Sequence, residues 1–240
     1  MNDRYRHNGR LLALAFGVVL TPIFTCGAPT PAPPRPAVTV YASFDADDEG
    51  WTALFADHPD DLGSADYDLV AHWATIPDVG GGGLRLAGTN RSDDLWMSIV
   101  RPVERLQLGC YALSGTVSIA TDVPPGMIGA GGAPGEDVTV KAGASTESPG
   151  TYVDPLGFRR LTVDKGEQAN DGQQAVAIGH LASAATDGSR FVVKTMSVPD
   201  GVRVRVGPEG VAWVIIGSDS GYEGRSDFYV DEVALTLTPC

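Results

Sequence analysis

From Val38 onward the chain sets out apolar positions in short runs, divided by clusters of Gly, Pro, Asp, Asn and Ser. Such punctuation predicts strands joined by turns. The pattern predicts strands over Val38–Phe44, from Trp51, and over Leu69–Ile76, Leu84–Ala87, Leu95–Val100 and Cys110–Thr121. It continues with Val138–Ala142, Arg159–Val163, Ala175–Leu181, Arg190–Val198 and Val202–Val206. With the closing segment this makes roughly a dozen strands. Past the N-terminal leader no window repeats apolar residues at helical spacing, and there is no internal repeat of solenoid or propeller period. The expectation is one all-β sandwich.

The closing segment is the densest. Val211–Ile216 is an apolar, β-branched run of the kind buried on both faces. Gly217–Asp227 reads as an acidic Gly/Ser-rich loop offering Asp219, Glu223 and Asp227 as oxygen donors on a pliant backbone. Phe228–Leu237 then alternates, with Phe228, Val230, Val233, Leu235 and Leu237 as inward points and a two-acid step at Asp231–Glu232.

The N-terminus reads as an address rather than as structure. Arg4, Arg6 and Arg10 precede the apolar run Leu11–Leu20, which has the length of a signal-peptide core. Residues 1–25 are therefore expected to be a signal peptide. The segment Ile23–Cys26 resembles a lipoprotein lipobox with Cys26 as the lipidated residue, although Phe24 and Thr25 depart from that pattern. The two readings are an outer-membrane or cell-surface lipoprotein, and a periplasmic or secreted protein cut by ordinary signal peptidase. Residues 26–37 are a Pro-rich spacer, and residues 38–240 are the domain. If Cys26 is acylated, Cys110 and Cys240 remain as an even pair in a compartment that permits disulfides. Without residues 1–25 the chain holds 14 basic and 29 acidic side chains, a net charge of −15. That balance argues against nucleic acid and against direct binding to anionic lipid, leaving a lipid anchor as the one membrane contact.

Two ends of the domain carry a family resemblance. The opening Ser43–Trp51 (SFDADDEGW) and the closing Asp227–Leu237 (DFYVDEVALTL) resemble the first and last strands of carbohydrate-binding modules with a galactose-binding-like jelly roll. The segments GTNRSDDLWM, GAGGAPGEDVTVKAGAS, VDKGEQ and GSDSGYEG are similar to an uncharacterised group of secreted bacterial proteins. The resemblance implies a two-sheet antiparallel jelly-roll β-sandwich and a non-catalytic module that binds carbohydrate. It also implies a structural calcium shared by the first and last strands, with Asp45, Asp47 and Asp231 as ligands. The other reading of those acids is a solvated turn and an ordinary strand carboxylate.

The candidate ligand-binding residues fall in several segments. Asn90, Arg91, Asp93 and Asp94 precede the apolar strand at Leu95 and read either as a ligand rim or as an ion-paired loop. Lys141 stands in a strand of small residues, either on a solvent face or opposite Asp164 or Asp93. Asp164 and Lys165 open an amide- and acid-rich loop, and Asp219, Tyr222 and Glu223 sit in the acidic segment near the C-terminus. Among the aromatics, Trp51, Tyr67 and Tyr222 are expected beside loops and exposed, and Trp96 and Trp213 in the core. Gly129–Asp137 lacks the Lys-Ser/Thr of a phosphate loop and reads as a rim. No HExxH or GxSxG motif is present. The alternatives to carbohydrate binding are an adhesive envelope protein whose partner is a cell-surface protein, and a hydrolase using Asp93, Asp219 and Glu223.

Overall fold

The computed structural model describes residues 34–61 and 67–240, and its compact unit runs from Arg35 to Cys240. The signal-peptide segment, Cys26 and most of the Pro-rich spacer lie outside the described residues.

Fifteen strands follow one another in this unit: β1 (Val38–Ala42), β2 (Thr52–Ala56), β3 (His58–Pro59), β4 (Val70–Thr75), β5 (Gly82–Thr89), β6 (Leu95–Val103), β7 (Gly109–Thr121), β8 (Val138–Ser145), β9 (Thr151–Val153), β10 (Phe158–Leu161), β11 (Ala175–His180), β12 (Val192–Val198), β13 (Arg203–Val206), β14 (Ala212–Ser220) and β15 (Arg225–Pro239). Every pairing is antiparallel. The front sheet runs β12-β7-β15-β5-β4, with β13 extending along β7 and β1 along β15. The back sheet runs β11-β8-β14-β6-β2. The chain passes back and forth between them (β5, β6, β7 and β8 alternate sheets), the jelly-roll arrangement of an all-β sandwich. A third sheet, β3-β10-β9, adds to the two expected. Its central strand β10 overlaps the expected Arg159–Val163, while β3 and β9 form where the sequence reads as loop, being too short to show alternation.

The core lies between the front and back sheets. From the front sheet come Leu84, Leu86, Val117, Ile119, Phe228 and Leu235, and from the back sheet Leu95, Met97, Ile99, Val140, Val214 and Ile216. On β15 the inward residues change parity, from Phe228 and Val230 to Val233, Leu235 and Leu237. The pairing with β7 shifts register between Val230 and Glu232, so Asp231 is the extra residue of a bulge that keeps both sets facing the core. The two-acid step in the sequence is that bulge. The first and last strands pair, Val38–Ala42 against Val233–Leu237. Cys110 and Cys240 form a disulfide that ties the end of β15 to the start of β7.

The Gly217–Asp227 loop shrinks on folding. Strand β14 runs on through Ser220, β15 begins at Arg225, and only residues 221–224 turn between them. Asp219 is thus a strand residue. Trp51 and Tyr67, expected at the surface, are 4% and 1% exposed. Leu86 and Phe228 are fully buried at the centre of the front-sheet layer. We expect Phe228→Ala to lower unfolding free energy by about 3–5 kcal/mol, read as a drop in the urea midpoint at unchanged slope.

Candidate functional site

Strand β14 lies at the centre of the back sheet, between β6 and β8, and both its faces are covered. One face meets the main core. The other carries Trp96, Val100 and Ile215, packed beneath Leu161 and Val163 from β10 and the segment after it. On this outer face, cross-strand register lines up Thr139, Asp219 and Trp96, and beside them Lys141, Gly217 and Ser98. Gly217 leaves room for the indole of Trp96, whose ring lies 2.9 Å from where a Cβ would stand. A Lys and an Asp on adjacent strands, one register row apart, are therefore brought into contact by the pleat itself.

Neither side chain reaches water. Lys141 and Asp219 are both 0% exposed, and the Lys141 ammonium lies 2.9 Å from Asp219 Oδ2. It also donates to the backbone carbonyls of Lys165 (2.6 Å) and Asn170 (2.9 Å), so its three donors are used. Lys165 comes in from the covering loop. Its Nζ is 2.9 Å from both Asp219 oxygens, 3.1 Å from Asp57 Oδ2 and 3.7 Å from Asp94 Oδ2, and it sits 5.6 Å from the Trp96 ring centre. Burial works against the Lys165 ammonium, but Asp219, Asp57 and Asp94 together hold its pKa above the ordinary value. Arg160 then links Asp57 (3.0 Å) to Asp154 (2.9 Å).

Two ammonium groups thus face three carboxyls, Asp57, Asp94 and Asp219, whose ligand atoms lie within 4.8 Å of one another. Arg160 adds a positive charge at Asp57 that it shares with Asp154, and one carboxyl keeps its proton. Burial, and then the neighbouring Asp219, push the Asp94 carboxyl from 3.8 up to about 8, so it is neutral at pH 7. The same three carboxyls are the one such group among the described residues that sits at ion-binding distance. They do not fit a calcium ion, which needs six to eight oxygens, because the Lys165 ammonium already stands among them.

Above the cluster lies an open cleft of about 400 Å³. Asp57, Asp94 and Lys165 contribute to its lining, and Asp154, Asp164, Glu167 and Arg160 add further polar groups. Tyr152 stands at the cleft 53% exposed, directly across from Arg160 in the β9–β10 pairing. Backbone N–H groups of Phe158 and Leu156, together with Arg160, hold the Asp154 carboxylate below its ordinary pKa. The polar side chains of this wall are thus held by one another.

Of the residues expected from sequence, Lys141, Lys165, Asp94 and Asp219 converge, and Asp164 joins them at the cleft lining. Asp164 spends its oxygens on Gly166 N and Gln173 N, shaping the loop that carries Lys165. Asn90 is buried and holds its own loop, donating to Ser220 O and Tyr222 O and accepting from Ser92 N. Arg91 and Asp93 are exposed outside the cleft lining, Asp93 in a left-handed turn with φ of 68°. Tyr222 packs against the main core and Glu223 is exposed beside the Gly129–Gly132 segment, so the pair makes no common surface with Lys141. A hydrolase built on Asp93, Asp219 and Glu223 has no geometry here: Asp219 is sealed from solvent, and neither other residue joins the carboxyl group.

The calcium set also separates. Asp47 and Asp48 cap backbone N–H groups of their own turn, Asp45 accepts from Ser43 Oγ, and Glu49 accepts from Ser43 N and Phe44 N. Asp231 stands at the bulge, its carboxyl raised by burial, then by Glu232 and Asp45. The three do not form a group at ion-binding distance. Asp57, Asp154 and Arg160 are site residues that sequence reasoning passed over. The pair Arg159–Arg160 in an acidic chain was the available signal.

No protein-family model matches the chain, and no curated protein does. Among solved structures the chain is similar to the enzymatically active domain of bacteriophage CBA120 tailspike protein 4, at 10% identity over 80% of this chain and TM-score 0.36. It spans 20% of that protein's length. It is similar to TmCBM61, solved in complex with β-1,4-galactotriose, at 11% identity over 78% of this chain and 89% of that one, TM-score 0.36. It is also similar to TmCBM27, a carbohydrate-binding module described for mannan recognition, at 15% identity over 84% and 98%, TM-score 0.35. At such values the site must speak through its own geometry.

Two outcomes follow from the cluster. Lys141→Met leaves Asp219 short of a partner in a dry site and should cost about 3–5 kcal/mol in urea unfolding, with Lys141→Met/Asp219→Leu recovering much of it. The Asp94 carboxyl binds its proton more tightly in the folded state, so its contribution to stability is full below about pH 4 and is lost as pH rises through about 8. Asp94→Asn should flatten that decline in a series of unfolding curves from pH 5 to about 9.

Proposed function

We propose that this chain is an exported, non-catalytic binding module whose ligand is a carbohydrate, held in the cleft between β9–β10 and the loop at residues 164–167. The observation that carries the reading is the arrangement around Tyr152. An exposed aromatic ring stands beside an Arg160–Asp154 fork whose donors and acceptors are fixed at 2.9 Å. Sugar rings present apolar C–H faces to aromatic rings and hydroxyl edges to such planar groups, and water-facing clefts suit them. Asp57, Asp154, Asp164 and Glu167 outnumber Arg160 and Lys165 at the lining, so the favoured glycan is neutral or amine-bearing rather than uronic or sulfated. Export is supported by the Arg-flanked apolar run Leu11–Leu20 and by the Cys110–Cys240 disulfide, a bond kept in oxidising compartments. Cys26 supplies the proposed lipid tether.

A hydrolytic reading has one observation on its side, the Asp94 carboxyl raised to about 8 beside Asp57 at the cleft floor. Against it stands Lys165, whose ammonium lies within 3.7 Å of all three carboxyls and compensates them. Retention on immobilised neutral, amine-bearing and uronate polysaccharides tests the proposal. Binding to the first two is expected, weakened about tenfold in Tyr152→Ala or Arg160→Ala. Absence of retention on every polysaccharide overturns carbohydrate binding, and retention indifferent to both substitutions moves it out of this cleft. Turnover of a glycoside that disappears in Asp94→Asn would establish the hydrolase instead.

A further inference from the structure

The charged cluster beneath the cleft brings a lysine and an aspartate together in a setting where they can condense. An ammonium and a carboxylate form an amide by losing one water, a step that bulk water opposes. Three conditions favour it: contact held before reaction, exclusion of water, and a proton donor and acceptor at the reacting atoms. Contact is the first to be met. Lys165 Nζ is 2.9 Å from both Asp219 oxygens. A nitrogen equidistant from the two oxygens lies in the plane that bisects the carboxyl group and contains its carbon, Cγ. Water is kept out on the sheet side. Asp219 is wholly buried on the central strand β14, Lys165 is 7% exposed, and the buried Trp96 ring lies 5.6 Å from Nζ.

The proton donor and acceptor stand on the cleft side. Asp94 Oδ2 is 3.7 Å from Lys165 Nζ, and burial and then Asp219, to which it hydrogen-bonds, keep that carboxyl protonated at pH 7. Asp57 is buried and splits its two oxygens between different tasks. Oδ1 accepts from Arg160, whereas Oδ2, 3.1 Å from Lys165 Nζ, accepts no hydrogen bond among the described residues. A buried carboxylate oxygen left without a donor is an open site for a proton. Lys141 completes the set. Its ammonium, held by the carbonyls of Lys165 and Asn170, lies 2.9 Å from Asp219 Oδ2, where it stabilises negative charge gathering on that oxygen.

We propose that Lys165 and Asp219 join in an intramolecular amide, formed by the folded chain itself with Asp94 as acid and Asp57 as base. Lys165 passes one ammonium proton to Asp57, and the freed amine attacks Asp219 Cγ. Asp94 gives its proton to Oδ1 while Lys141 holds the charge on Oδ2. The tetrahedral nitrogen then returns a proton to Asp94, and the proton on Asp57 passes to the Oδ1 hydroxyl. The Cγ–Oδ1 bond breaks, the carbonyl reforms at Oδ2, and one water leaves through the cleft that Asp57, Asp94 and Lys165 line. One C–N bond has replaced one C–O bond, Asp94 is again the acid and Asp57 the carboxylate, and nothing is oxidised or reduced. The product withdraws one cation and one anion from a site where both carry a desolvation cost. Burial disfavours the Lys165 ammonium but the three acids outweigh it, so loss of the first proton is the slow step. The link spans 54 residues and fastens the loop of the cleft wall to β14 covalently.

Peptide mapping of the whole chain by tandem mass spectrometry tests this, on protein sampled at successive times after synthesis, then reduced and digested. The segments holding Lys165 and Asp219 are expected as one branched species, lighter than their sum by one water, with fragment ions placing the branch at those two residues. Lys165→Arg keeps the charge and should give the two segments separately. Asp94→Asn keeps the size of the side chain and removes the acid, and should slow accumulation of the branched species about a hundredfold. Separate segments at their full masses in the folded wild-type protein overturn the proposal, and this arm needs no variant to fold. A branch at Lys141 in place of Lys165 overturns the choice of nucleophile, and undiminished linking in Asp94→Asn overturns the choice of acid.

Discussion

A carboxylate wholly removed from water, on the central strand of a sheet covered on both faces, has to be neutralised where it stands. Asp219 sets that constraint, and the second half of the molecule is arranged to meet it. Lys141 answers from the adjacent strand, and Lys165 answers from above. Because Lys141 also donates to the carbonyls of Lys165 and Asn170, the covering loop is fastened to the sheet through the same ammonium. Asp57 and Asp94 follow Lys165 into the site, and the excess negative charge is removed by protonating Asp94. A buried ionic array of this kind is weak evidence for stability and better read as a device for specifying one arrangement of a loop. Here the loop so fixed forms one wall of the cleft.

That chain of dependence explains why the cleft is polar. The third sheet brings Tyr152, Asp154 and Arg160 to the other wall, and Arg160 closes the circuit by reaching back to Asp57. The groups a ligand would meet are therefore held by the same network that neutralises the sheet's interior charge.

Much of the fold was legible in the chain itself. The strand pattern, the doubly buried run at Val211–Ile216 and the parity change on β15 follow from the order of apolar residues, since strand periodicity is a local property, whereas the pairing of the first and last strands was implied only by the family resemblance. Segments of two or three residues such as β3 and β9 carry no period to read, so of the third sheet only β10 was visible. Of the site, Lys141, Lys165, Asp94 and Asp219 were singled out by residue type, but their roles were not. The bland alternative for an Arg beside acids, an ion-paired loop, proved closer to what the charged residues do, as Lys165 and Arg160 show.

By itself, then, the sequence determined the class of the fold and which residues were chemically conspicuous. Tertiary structure decided which of them meet. Asp219 and Lys141 stand 78 residues apart and Asp57 lies farther still from both. Only the register of β8 against β14 and the loop folded over them turns three scattered acids into one shared site. Burial and charge balance are properties of the assembled neighbourhood, and no local pattern encodes them.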